Sequence, residues 1–122
     1  NNRGMIYIAY APWFKDVWAK NLDKKGFKDC VKIGYSVDPE RRKEEIAGNM
    51  GPPKSIEIEE AWPVWDMKNS ESYIFNVLKR FRLDSKREMF GLSVDDARKR
   101  VNKIIKEIKK AQSSKNSSKG FG

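Results

Sequence analysis

Strand-like runs interleaved with helical ones predict a mixed α/β (α+β) domain. Two observations carry that reading: short β-branched and aromatic segments at "MIYIAY", Cys30–Tyr35 and "SIEIEEAW", and helical stretches with recognisable caps placed after the second and third of them. The length of 122 residues suits one domain with a single modest core.

Met5–Tyr10 is the first strand, and its alternation places Met5, Tyr7 and Ala9 on one face and Ile6, Ile8 and Tyr10 on the other. The connection "APWFKDVWAKNLDKKGFKD" is too long for a tight hairpin and carries its own aromatics, so it should hold a turn of helix or a packed loop. The second strand covers about Cys30–Tyr35. Asp38 then offers an N-cap, Pro39 a first helical position and Glu40 an acid near the positive helix end. This helix should reach about Ala47, ahead of Gly48 and a Gly-Pro-Pro turn at Gly51–Pro53. The third strand, in "SIEIEEAW", should turn Ile56 and Ile58 inward. A helix from about Met67 to Arg82 follows, with an inward stripe of Met67, Ile74, Val77, Leu78 and Phe81. Ser93 caps a last helix whose stripe is Val94, Ala97, Val101, Ile104, Ile105 and Ile108. The domain is thus expected over residues 1–111. The polar, low-complexity segment 112–122 is expected to be disordered. The end segments "NNRG" and "GFG" read as edges of a fragment of a longer protein, with further domains as partners.

The chain has no histidine, which removes Ser-His-Asp chemistry, His-assisted cysteine catalysis and most zinc sites. Any catalysis falls to Tyr, Lys, Arg, Glu or Asp, with or without a hard metal ion. A single cysteine, Cys30, precludes an internal disulfide and fits a reducing, cytoplasmic location. No apolar run approaches membrane-spanning length, so no membrane partner is expected. The net charge of +9 is uneven: from Arg98 onward nine Lys/Arg face the single acid Glu107. Such a segment either contacts phosphates or forms a solvated face and tail.

Four residues are out of place on pattern grounds. Glu71 falls on the inward stripe of its helix and must be paired, hydrogen-bonded or metal-bound unless its first-turn position leaves it solvated. Arg42 shares the inward-leaning face with Ile46, while Arg41 points more outward; it could fork onto an anion or bridge to a surface acid. Tyr7 could be a core ring, and Lys32 a solvated strand lysine. In an antiparallel pair of strands, however, the two could stand side by side, where the ammonium would lower the phenol's pKa and make it a general base.

Together these residues resemble the GIY-YIG nuclease superfamily, over about Gly4–Ala97. "MIY" is similar to the first signature and "KIG" (Lys32-Ile33-Gly34) to the second, in the phage and bacterial branch where lysine replaces the first tyrosine. "YSVDPERR" supplies an arginine eight residues past the glycine, and "NSESYIFNVLKRFR" supplies the helix glutamate. "REMF" at Arg87–Phe90 resembles the Glu-aromatic-Phe that often follows in this branch. The resemblance implies a three-stranded antiparallel sheet flanked by helices and metal-dependent hydrolysis of DNA, double-stranded by preference. It implies Tyr7 as general base helped by Lys32, Arg42 on the scissile phosphate, and Glu71 holding one Mg²⁺ or Mn²⁺. Gly34, Tyr35 and Arg41 near the site, and Lys99, Arg100 and Lys103 on the last helix, are the substrate-contact candidates, with packing the alternative for Tyr35. Glu88 is either structural, on a backbone amide or Arg87, or a neighbour of the metal. The family's frequent histidines are replaced here by Ile46 and by Phe75 or Asn76. The competing expectation is therefore a nuclease-like fold that binds nucleic acid through its basic helix without efficient cutting. A third, an interaction domain for acidic proteins or anionic lipid, ranks below both.

Overall fold

A computed structural model describes residues 3–49 and 55–120, with side chains for all of these except 47–49 and 114–120. The expected Gly51–Pro53 turn lies outside the described residues. The elements run β1 (Gly4–Tyr10), α1 (Phe14–Val17), α2 (Ala19–Lys25), β2 (Val31–Ser36), α3 (Pro39–Asn49) and β3 (Glu57–Val64). They continue with α4 (Met67–Val77), a 3₁₀ turn (Lys79–Phe81), β4 (Met89–Phe90) and α5 (Val94–Gly120). No helix among the described residues is long and apolar enough to cross a membrane.

The sheet has four strands in the order β3-β1-β2-β4, every neighbouring pair antiparallel. The expectation of three strands is corrected by β4, whose two residues pair with Val31 and Lys32. Two residues are too few to display an alternation of period two, so "REMF" carried no strand signal.

Strand β1 lies at the centre, and each face of the sheet buries a separate cluster. Ile6, Ile8, Val31, Ile33, Trp62, Val64 and Phe90 pack under Ile74 and Leu78 of α4 and Ala97, Val101, Ile104 and Ile105 of α5. On the opposite face Tyr7, Ala9 and Met89 meet Phe14, Leu22, Cys30, Ile46, Ile56 and Leu83. A β-bulge in β3 allocates residues between the clusters: Ile8 stands opposite Glu60, but Ala9 stands opposite Ile58. The extra residue Glu59 switches the facing of the strand. Ile56 and Ile58 therefore serve the second cluster, while Trp62 and Val64 serve the first. Arg98 of α5 holds the irregularity, with Nη2 donating to the Glu59 carbonyl at 3.4 Å and Nε 3.2 Å from Glu60 Oε1.

The helix ends follow local chemistry. Asp38 Oδ1 accepts from the Arg41 amide, Asp66 Oδ1 from Asn69 and Ser93 Oγ from Asp96, at 3.3, 3.2 and 3.1 Å. Helix α3 runs two residues past the expected Ala47. Helix α4 stops at Val77, short of Arg82, because the following chain turns back to carry β4: the Leu83 amide bonds the Met89 carbonyl and the Gly91 amide the Phe81 carbonyl. Val77, expected inward, is exposed, since the buried ridge is set by Ile74 and Leu78 four residues apart. The α5 backbone runs helical from Val94 to Gly120, and no proline interrupts that stretch.

The long β1–β2 connection is a packed element. Phe14 and Leu22 enter the second cluster, Tyr10 Oη donates to Asp29 Oδ2 at 3.0 Å, and Asn21 Nδ2 donates to the Leu83 carbonyl at 3.4 Å. The Phe27 ring lies directly over Gly91, where a Cβ would collide with it. Gly91→Ala is expected to destabilise the domain by about 1–3 kcal/mol through overpacking. Urea unfolding should show a lower midpoint with an unchanged slope.

Candidate functional site

The site is assembled by strand register. Tyr7 stands opposite Gly34 and Ala9 opposite Lys32, so Tyr7, Lys32 and Gly34 share one face of the β1–β2 pair. Gly34 leaves room for the phenol: a Cβ there would sit 2.8 Å from the Tyr7 hydroxyl, 3.0 Å from its Cζ and 3.2 Å from Glu88 Oε2. The hydroxyl and the Glu88 carboxylate thus crowd the same space above the glycine.

Glu88 immediately precedes β4, and its carbonyl accepts from the Ile33 amide at 3.0 Å. Its side chain pairs with the Lys32 ammonium. The expectation of a backbone amide or Arg87 as partner is corrected by that ion pair. A register signal could have found Glu88, had β4 been legible beside β2.

Tyr7 is 1% exposed. Burial, with a smaller contribution from the Glu88 charge, pushes its pKa up to about 12, while hydrogen bonding and charge from Arg42 pull the other way. The idea that Lys32 would lower the phenol's pKa is therefore corrected: its ammonium is committed to Glu88, and burial dominates at Tyr7. At neutral pH the phenol is protonated, and its oxygen accepts from the Arg42 guanidinium.

Arg42 reaches the Tyr7 hydroxyl from α3 and also lies 2.8 Å from Glu45 Oε2. Its side chain is 44% exposed against 79% for Arg41, which leans outward toward Glu45 at 3.9 Å. Arg42 is thus part of the cluster, and the structure does not bring Arg41 to Tyr7.

Glu71 lies in α4, with one carboxylate oxygen, Oε2, buried and without a hydrogen-bond partner. Burial first, then the Glu88 charge, raises its pKa from the ordinary 4.5 to about 7, opposed by Lys32 and Arg82. An orphaned buried carboxylate oxygen with a second carboxylate in electrostatic reach is the donor chemistry of a hard divalent cation. Among the described residues no group of three or more His, Cys, Asp or Glu converges on one point. Magnesium characteristically takes only one or two protein carboxylates, keeping water and phosphate oxygens as its other ligands, so Glu71 fits it.

The remaining sequence candidates fall elsewhere. Tyr35 is opposite Ile6, on the far face, packed against the first cluster. Arg100 stacks on the Phe81 ring at 4.6 Å, and Lys99 and Lys103 are exposed on α5. Of the positions where the resembling family often has histidine, Ile46 is buried in the second cluster, Phe75 meets Phe90 edge-on at 4.9 Å, and Asn76 is exposed.

A profile for the T5orf172 domain matches residues 4–108. The chain belongs to the T5orf172 domain family. Its matched span takes in all four strands and the cluster of Tyr7, Lys32, Arg42, Glu71 and Glu88. No curated protein and no solved structure matches the chain.

The pKa of Glu71 has a consequence for stability. The folded protein holds a proton that the unfolded chain releases near 4.5, so stability is lost as pH rises from there through about 7. Metal-free protein should melt at progressively lower temperature across this window, and Glu71→Gln should flatten that decline. Thermal melts at fixed ionic strength measure it. Mg²⁺ should restore the melting temperature of the wild type at pH 8 without doing so for Glu71→Gln.

Proposed function

We propose that the domain is a divalent-metal-dependent DNA endonuclease of the GIY-YIG type, acting on double-stranded DNA. The observation that carries this reading is the orphaned Glu71 carboxylate oxygen grouped with a phenol and a partly exposed arginine. A structural ion pair would have satisfied that oxygen; a metal ligand leaves it open. Membership in a phage-associated family, T5orf172, is compatible with a nuclease or DNA-binding role.

In this reading Glu71 holds Mg²⁺ or Mn²⁺, which supplies Lewis-acid stabilisation of a phosphate oxygen when bound. Arg42 exchanges Glu45 for the scissile phosphate, onto which its planar donors can fork. Tyr7 orients the attacking water and receives its proton as general base. That role requires the phenol to lose its own proton, and the Glu88 carboxylate beside it is the acceptor at hand. Lys32 holds Glu88 in place through their ion pair. Gly34 keeps the floor of the site low. Further domains of a longer chain would supply sequence preference.

Nicking of supercoiled plasmid in Mg²⁺ or Mn²⁺ tests the proposal. Glu71→Ala and Arg42→Ala should each slow nicking by at least about 100-fold, and Tyr7→Phe by roughly 100- to 10,000-fold. Equal nicking by the wild type and all three variants would sink the catalytic assignment.

A second reading, a nucleic-acid-binding module with weak catalysis, is favoured by a separate observation. Lys99, Lys103, Lys106 and Lys110 are all exposed on the α5 face opposite its buried stripe. Neutralising these four should weaken DNA binding uniformly across sequences and reduce its salt dependence. Under this reading binding is retained in Glu71→Ala and no nicking is seen.

A further inference from the structure

A groove of about 790 Å³ opens beside the start of β1, away from the Tyr7 cluster, with Arg3, Val64, Trp65, Lys109, Gln112 and Ser113 among its lining residues. It shares no lining residue with Tyr7, Lys32, Arg42, Glu71 or Glu88. Its floor approaches the site nonetheless: Gly4, which also lines it, packs against Met67, one helical turn before Glu71.

Three features define what it could take. Trp65 is 59% exposed, a large aromatic surface left facing water. The Arg3 guanidinium carbon lies 3.8 Å from the centre of its ring, a cation placed on the indole face. Lys109 contributes a second positive charge and Gln112 both a donor and an acceptor, and no acid is among the described residues that line the groove. On α5, Lys106 and Lys110 extend the positive surface from Lys109.

We propose that this groove is a second nucleic-acid contact that accepts one unpaired nucleotide. The base would stack on the Arg3–Trp65 pair and the adjoining phosphate would meet Lys109. Flat aromatic and guanidinium surfaces suit any base face, and the neighbouring cation suits the phosphate that accompanies it. The volume lies within the range of small-ligand sites. An acidic peptide would satisfy the charges while leaving the indole without a matching flat partner. The proposal does not require cleavage, and it adds to the duplex-binding surface of α5 a preference for strands that expose an unstacked base.

Binding is measured by fluorescence anisotropy in EDTA, so that no cutting occurs, with a fluorescein-labelled blunt duplex and the same duplex bearing a short single-stranded overhang. Wild type should favour the overhang substrate. Trp65→Ala should abolish that preference, weakening overhang binding roughly 5- to 100-fold while changing blunt-duplex affinity little. Lys109→Ala should lower the salt slope for the overhang substrate by about one. Val17→Ala, another exposed apolar position on α1, is the control and should behave as wild type. Equal affinity of wild type for the two DNAs overturns the proposal. So does a Trp65→Ala variant that retains the preference, or one that loses blunt and overhang binding alike. A nicking assay that fails for the Tyr7 cluster leaves these outcomes unaffected, so the two proposals fall separately.

Discussion

The pairing of Tyr7 with Gly34 across β1 and β2 is the constraint on which the rest of the site depends. A residue with any side chain at position 34 would push the phenol and the Glu88 carboxylate out of the space they share. The same register sets Lys32 opposite Ala9, on the face that carries Tyr7. A slip of one residue would turn Lys32 into the first cluster and send Ile33 out of it. The apolar residues of β2 therefore enforce the geometry of the polar ones: Val31 and Ile33 are fully buried on the far face and hold the strand in place.

Helices on both faces let a small sheet separate its tasks. Helices α4 and α5 close the first cluster, and α3 with the β1–β2 insert closes the second. The β3 bulge divides apolar residues between the clusters, and Arg98 satisfies the carbonyl it exposes. Helix α5 thus has three faces in use: a buried stripe, an edge tied to β3 through Arg98 and Asn102, and an outer row of lysines. The site borrows from both layers, since Arg42 arrives on α3 and Glu71 on α4.

Much of this was legible in the sequence because it is written in local chemistry. The Asp38-Pro39 cap, the Ser93 cap and the α5 stripe depend on neighbours a few residues away, and they are found where that chemistry places them. Tyr7, Lys32, Arg42 and Glu71 were readable only as a set, by resemblance and order. Long-range pairing was not legible. Glu88 is 56 residues from Lys32, and the strand that aligns them is two residues long. The alternation in "SIEIEEAW" breaks at Glu59-Glu60, where the β3 bulge lies, but the register past Ile58 had to come from the structure. The Tyr7 pKa was misjudged for a related reason. Sequence placed a cation next to the phenol, but its burial and the carboxylate that claims that cation are properties of the assembled fold.

The two ion pairs at the site act together in a way neither does alone. Lys32 already has Glu88 as its counter-ion, and Arg42 already has Glu45. On the proposed function, an incoming phosphate would meet cations that are occupied, and it would enter by exchange. A dilute, weakly held anion offers Arg42 little that Glu45 does not already provide at an effectively high local concentration. A phosphate carried on a polymer that is anchored elsewhere on the surface arrives with a comparable local concentration of its own. On the proposed function, Glu45 and Glu88 would serve as built-in competitors, reserving the cationic centre for anions that are delivered rather than merely dissolved.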